Sequence, residues 1–71
     1  MNMITLEASC RSGHYLAAVV PTLDRQLRTE YHVFVFRQGQ EIYEETKRSL
    51  EEAISTARAY LDLRTEQDLD S

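Results

Sequence analysis

The side chains able to do chemistry in this sequence are few: one cysteine and two histidines, besides the carboxylates. Cys10 and His14 are close enough in sequence to share a hairpin, where a three-residue turn would let them face each other. A two-residue turn would place them on opposite faces of the sheet. Structural zinc requires about four ligands, and a cysteine nucleophile requires a base with an orienting acid beside it. We therefore expect no metal, no cofactor and no catalytic residue.

Adjacent carboxylates occur at Glu44-Glu45 and at Glu51-Glu52. Paired acids can perform acid–base chemistry when burial separates their pKa values. These pairs fall at surface and helix-start positions, where solvation and helix capping account for them. Gly13 and Gly39 are isolated turn glycines rather than parts of a phosphate-binding loop. The sequence thus predicts a protein that is not an enzyme.

Length and charge narrow the class of protein further. The 71 residues suffice for one small domain, and 12 acidic against 8 basic residues give a net charge of −4. An acidic chain is repelled by phosphates, which disfavours nucleic acid as a partner. The single cysteine is typical of a reducing, cytoplasmic setting. The first nine residues lack the pattern of a signal peptide, and no apolar segment approaches the roughly 20 residues that span a bilayer.

Four segments of the chain have the residue pattern of β-strands. The first alternates apolar and polar residues, the second is almost continuously apolar, and the third is β-branched and aromatic. Pro21 lacks an N–H and is expected to end the second strand. Two-residue turns at Ser12-Gly13 and Gln38-Gly39 would join the strands into two hairpins. The predicted strands are residues 3–10, 14–20, 31–36 and 41–45.

A helix follows the strands and begins with a capping box, Ser49-Leu50-Glu51-Glu52. Its predicted apolar stripe is Leu50, Ala53, Ile54, Ala57 and Leu61. We expect the helix to end near Leu63 or Arg64. The predicted fold class is α+β: an antiparallel sheet of about four strands in two hairpins, with one C-terminal helix packed on one face. Residues 1–64 form the single domain, and residues 65–71 form an acidic, mobile tail.

The two middle strands are apolar on both faces, whereas one helix covers only one face of a sheet. With two-residue turns, the uncovered face collects Leu16, Phe34, Phe36 and Tyr43, which we predict to be partner-binding residues. A three-residue second turn would instead move Tyr43 to the helix side and Ile42 to the phenylalanine side. Alternatively, segment 22–30 folds under the sheet and covers this face. The prediction is a protein-interaction module that forms a homodimer or binds another protein. The same aromatic residues on an open sheet could also stack on nucleic-acid bases, but packing is the favoured interpretation.

Two parts of the chain resemble the small HicB-like antitoxin domain. One is Gly13-His14-Tyr15, which leads through an apolar strand to Pro21, and the other is the capped helix with Ala53 and Ala57. The chain departs from that family in lacking a Pro-Gly turn after Pro21 and in having a long hairpin from Tyr31 to Glu45. The resemblance implies an alternative function, in which a regulator binds a small toxin and contacts nucleic acid.

Overall fold

The polypeptide forms four strands followed by one helix, as a computed structural model of the chain shows. The structure describes residues 3–69, with side chains as far as residue 66. The strands pair antiparallel in the order β1-β2-β3-β4, so that each strand lies beside its neighbour in sequence. The predicted α+β fold is therefore confirmed. The elements are β1 Ile4–Cys10, β2 Gly13–Leu23, β3 Thr29–Arg37, β4 Gln40–Lys47 and α1 Leu50–Leu69.

The core lies between the helix and one face of the sheet. Val33 and Val35 point to this side from the third strand and are completely buried. Ala53 and Ala57 of α1 are also fully buried, and their small side chains allow the helix to approach the sheet closely. Burial of each valine contributes roughly 1.5–3 kcal/mol relative to leaving it exposed. The core cluster comprises Tyr15, Ala17, Val19, Val33, Val35, Ala53, Ala57 and Leu61.

The start of the helix agrees with the sequence prediction, whereas its end does not. The Glu52 amide donates to Ser49 Oγ at 3.4 Å, which is the expected capping bond. The helix continues to Leu69, beyond the end predicted near Leu63 or Arg64. Thr65 Oγ1 donates to the Leu61 carbonyl at 3.1 Å, inside the segment that we expected to be a tail. Residues 70–71 of that predicted tail lie outside the described residues.

The second strand continues past Pro21, where we expected it to end. Along an antiparallel pair of strands, every second residue directs its backbone N–H and C=O towards the partner strand, and the residues between direct theirs away from it. The Asp24 amide donates to the Arg28 carbonyl at 2.9 Å, so Asp24 is one of the residues that face β3. Pro21 is three residues before Asp24, so its nitrogen points away from β3. On the other side, β1 begins at Ile4 opposite Val19, two residues short of Pro21. The missing N–H of proline therefore interrupts no pairing between described strands.

Both hairpin turns contain two residues, but the first is displaced by one position from the prediction. Cys10 pairs with Gly13, so the turn consists of Arg11 and Ser12. The pairing changes by two residues, which leaves every side chain of β1 and β2 on its predicted face. The second turn is Gln38-Gly39, as predicted, with φ angles of 51° and 85°. Both angles lie in the left-handed region that a tight hairpin turn requires.

Candidate protein-binding face

The face of the sheet opposite the helix, here called the open face, carries a line of apolar side chains along its two central strands. Leu16 pairs with Phe36, Ala18 with Phe34, and Val20 with His32. The members of this apolar strip are Leu16, Ala18, Val20, Phe34 and Phe36. All except Ala18 are partly exposed to solvent, whereas Ala18 is 5% exposed because larger neighbours shield it. Three of the four predicted partner-binding residues therefore lie together.

Aromatic rings follow one another along β3 on the open face. The ring centroids of His32 and Phe34 are 5.7 Å apart, with 25° between their planes. Phe34 and Phe36 continue the row at 6.4 Å and 27°. These distances fall in the range where aromatic pairs attract each other. The row is thus held in place by its own contacts and presents a preformed apolar surface.

Carboxylates border the apolar strip on both sides. Glu7 lies on β1, and Glu41 and Glu44 lie on β4. Each central strand has a histidine near one of these edge carboxylates: His14 Nε2 of β2 is 3.6 Å from Glu7 Oε1, and His32 Nδ1 of β3 is 3.7 Å from Glu44 Oε1. The strand residues that share this face include no lysine and no arginine. The open face is therefore apolar in the middle and negatively charged at its edges.

Tyr43 does not belong to the open face, which corrects the fourth predicted contact residue. A β-bulge between the pairs Phe36–Glu41 and Val35–Tyr43 leaves Ile42 without a cross-strand partner. The extra residue has the same effect as the longer turn considered from the sequence, because it moves Tyr43 to the helix side. There the Tyr43 ring lies 4.7 Å from that of Tyr60.

Polar contacts fix Tyr43 in this position. Its hydroxyl donates to Glu45, and Glu45 also pairs with Lys47 at 2.8 Å. The hydrogen bond to Glu45 and partial burial raise the pKa of Tyr43. Lys47 and the Tyr43 hydroxyl together lower the pKa of Glu45, since both stabilise its charged form. This group of side chains supports the packing of β4 against the helix and lies away from the open face.

Segment 22–30 does not cover the open face, contrary to the alternative that the sequence allowed. Its two ends extend β2 and β3, and residues 24–28 form a tight loop at the tip of the hairpin. Asp24 organises this loop: its carboxylate accepts bonds from the Gln26 amide at 2.8 Å and the Arg28 amide at 2.9 Å. Arg48, just before the helix, donates to Asp24 at 2.7 Å. These bonds hold the loop at the end of the sheet.

The same bonds perturb the ionisation of Asp24. The Arg48 guanidinium, followed by the Arg28 amide, holds the pKa of the Asp24 carboxyl far below its usual range. The ionised carboxylate is therefore the form that fixes the loop. Leu27 adopts a φ of 60°, which a leucine rarely does, and its amide donates to the Asp24 carbonyl at 3.0 Å. Asp24 thus has a structural role at the hairpin tip.

Cys10 and His14, the sequence candidates for chemistry, point to opposite faces of the sheet. His14 pairs with Ser9 on the open face, and its Nδ1 lies 2.9 Å from Ser9 Oγ. Cys10 lies on the helix side, where its sulfur is 3.2 Å from Ser12 Oγ. Across the part of the chain that the structure describes, no three metal-ligating side chains are grouped together. The structure therefore does not bring these two residues into one site.

Within residues 3–69, no helix combines the length and the apolar character that crossing a bilayer requires. The resemblance to the HicB-like antitoxin domain stays a prediction. No family model, curated protein or solved structure matches this chain.

Proposed function

We propose that this chain is a protein-interaction module without enzymatic activity, which binds a partner protein through the open face. The observation that supports the proposal is the position of the helix and of loop 24–28, neither of which covers the apolar strip. Leu16, Phe34 and Phe36 are the proposed contact residues. Contiguous apolar surface of this kind, bordered by polar residues, is typical of interaction sites.

The favourable free energy of binding is expected to come from removing the exposed parts of these side chains from water. Each square ångström of apolar surface covered contributes about 25 cal/mol. The Phe34 and Phe36 rings already contact each other, so covering them costs less side-chain entropy than covering two isolated rings would. A partner that covers the whole strip gains from several such residues together.

The charges at the edges favour a different protein over a second copy of this chain. When two copies of a sheet pack face to face, the edge strands of one lie over the edge strands of the other. In this chain both edge strands carry glutamates on that face, namely Glu7, Glu41 and Glu44. A symmetric dimer would therefore bring like charges together, which is unfavourable. A partner of opposite charge avoids this repulsion.

The proposal is tested by placing a photoreactive phenylalanine analogue at Phe36 and, as a control, at Leu63. Leu63 is 53% exposed on the helix, away from the open face. We expect irradiation in the cells that make the protein to yield a covalent protein adduct from position 36 only. The adduct should be lost when Phe34→Thr is added, because that substitution removes the centre of the strip.

Sedimentation of the purified chain at micromolar concentration distinguishes between the two candidates for covering the open face, a different protein and a second copy of this chain. A monomer together with an adduct of a different protein supports the proposal. A dimer that Phe34→Thr dissociates would make a second copy the occupant instead. The absence of both face-specific adducts and self-association would refute binding through this face.

A further inference from the structure

The dimensions of the apolar strip suit one particular type of partner structure. Residues 32–36 of β3 and 16–20 of β2 each span about 14 Å along the strands. Three turns of an α-helix cover about 16 Å along their axis. The strip is two strands wide, which matches the single apolar stripe of an amphipathic helix. A helix lying along the strands would therefore cover Leu16, Phe34 and Phe36 together.

The carboxylates lie where the sides of such a helix would be. The strands β1 and β4 are three strand spacings apart, which is about 14 Å. An α-helix with its side chains is about 10–12 Å in diameter. Its two flanks would thus come to lie above Glu7 on one edge and above Glu41 and Glu44 on the other. Lysine or arginine on both flanks would complement these charges.

From the strip and its two acidic edges, we infer that the partner segment is a cationic amphipathic helix of about three turns. This inference rests on the proposed function and specifies the chemistry of the partner. The apolar stripe of the helix covers the strip, and basic residues on either side of that stripe pair with the glutamates. Nucleic acids and anionic lipid surfaces carry the same sign of charge as the edges and are repelled.

The probes for the test are three synthetic peptides of 14 residues. The first has leucine at helical spacing with lysine at the other positions, the second replaces each lysine by glutamate, and the third scrambles the first. We expect the first peptide to bind at least about tenfold more tightly than either of the others, measured by fluorescence anisotropy. Tighter binding than the scrambled peptide shows that the apolar stripe matters, because the two have equal charge.

Variants of the protein locate the binding. Glu7→Lys combined with Glu44→Lys should weaken binding of the cationic peptide on the order of tenfold, since each exposed pair is modest by itself. Glu66→Lys, on the exposed helix surface, is the control for charge and should leave binding unchanged. Phe34→Thr should weaken binding by at least about tenfold, as expected for a central aromatic contact. Leu63→Gln is the control for loss of an exposed apolar residue.

Circular dichroism establishes that each variant is folded, and Glu7→Gln with Glu44→Gln provides a milder pair should the lysine pair unfold. Equal affinity for the cationic and scrambled peptides, or insensitivity to Phe34→Thr, would overturn the inference. In that case, a face-specific adduct at position 36 would leave the proposed function intact. Loss of both the peptide selectivity and the adduct would reject both proposals.

Discussion

The β-bulge at Ile42 decides which side of the sheet Tyr43 occupies, and this placement can be measured as an interaction energy. The Tyr43 and Tyr60 rings are 4.7 Å apart. Aromatic pairs at such distances contribute about 0.5–1.5 kcal/mol beyond the area that they bury. A double-mutant cycle with Tyr43→Leu and Tyr60→Leu removes the ring contact while keeping apolar side chains at both positions. We expect a coupling energy near 1 kcal/mol.

Urea denaturation of the four proteins provides the free energies of unfolding. For a domain of this size, the free energy of unfolding falls by about 1 kcal/mol for each molar of urea. The expected coupling therefore places the urea midpoint of the double variant about 1 M above the value obtained by adding the effects of the two single substitutions. Arg64 also contacts Tyr60, lying 5.0 Å above its ring. That contact is lost in both variants that lack Tyr60, so it cancels in the cycle.

The control cycle pairs Phe36 with Tyr60, which lie on opposite sides of the sheet. We expect its coupling energy to be within about 0.3–0.5 kcal/mol of zero, as for residues that share no contact. If Tyr43 instead lay on the open face, continuing the register of the pairs Arg37–Gln40 and Phe36–Glu41 without a bulge would place it opposite Phe34. The coupling would then appear in a third cycle that pairs Tyr43 with Phe34. Finding it there, with none between Tyr43 and Tyr60, would refute the bulge and the face assignment that depends on it.

Three further predictions concern the local bonds of the fold. The stabilising contribution of Asp24 is complete above the ordinary carboxyl pKa and is lost as the pH falls towards the lowered value. The free energy of unfolding should therefore decline below about pH 5. Over the same range, the difference in free energy of unfolding between the natural chain and Asp24→Asn should shrink, which urea titrations at several pH values can measure. Ser49→Ala should destabilise the fold by about 1 kcal/mol because it removes the capping bond to Glu52; an unchanged urea midpoint would contradict this. Gly39→Ala should lower the urea midpoint by the equivalent of roughly 1 kcal/mol, because position 39 has a φ of 85° that disfavours any residue with a Cβ. A steric clash does not contribute, since no atom lies within 4 Å of an added Cβ.

The sequence was sufficient to predict the four strands, the capped helix and the shared face of Leu16, Phe34 and Phe36. These features depend on local periodicity and on the parity of antiparallel pairing, both of which can be read along the chain. The bulge could not be predicted, because Ile42 and Tyr43 are adjacent apolar residues and either could face the helix. In the structure Ile42 is 39% exposed and Tyr43 is half-buried, an outcome that the sequence pattern of these two residues did not favour over the reverse.

The other differences come from contacts that form only in the folded chain. The prediction that the second strand ends at Pro21 was wrong. In the described part of the chain, β1 begins opposite Val19, so no residue of β1 would accept a hydrogen bond from the backbone nitrogen at position 21. The helix continues beyond Arg64, where Arg64 donates to the Tyr60 hydroxyl at 2.9 Å and Thr65 donates to the Leu61 carbonyl. Loop 24–28 depends on Arg48, which is 20 residues or more away in sequence. Local patterns contain no information about such distant partners.

The position of α1 after all four strands has a consequence for synthesis of the protein. Consecutive strands pair with each other, so the sheet can form before the helix packs on it. Ala53, Ala57 and Leu61 emerge later, and until they do, Val33 and Val35 remain in contact with water. For that interval the nascent sheet is apolar on both sides, which is when such a chain is most prone to aggregate.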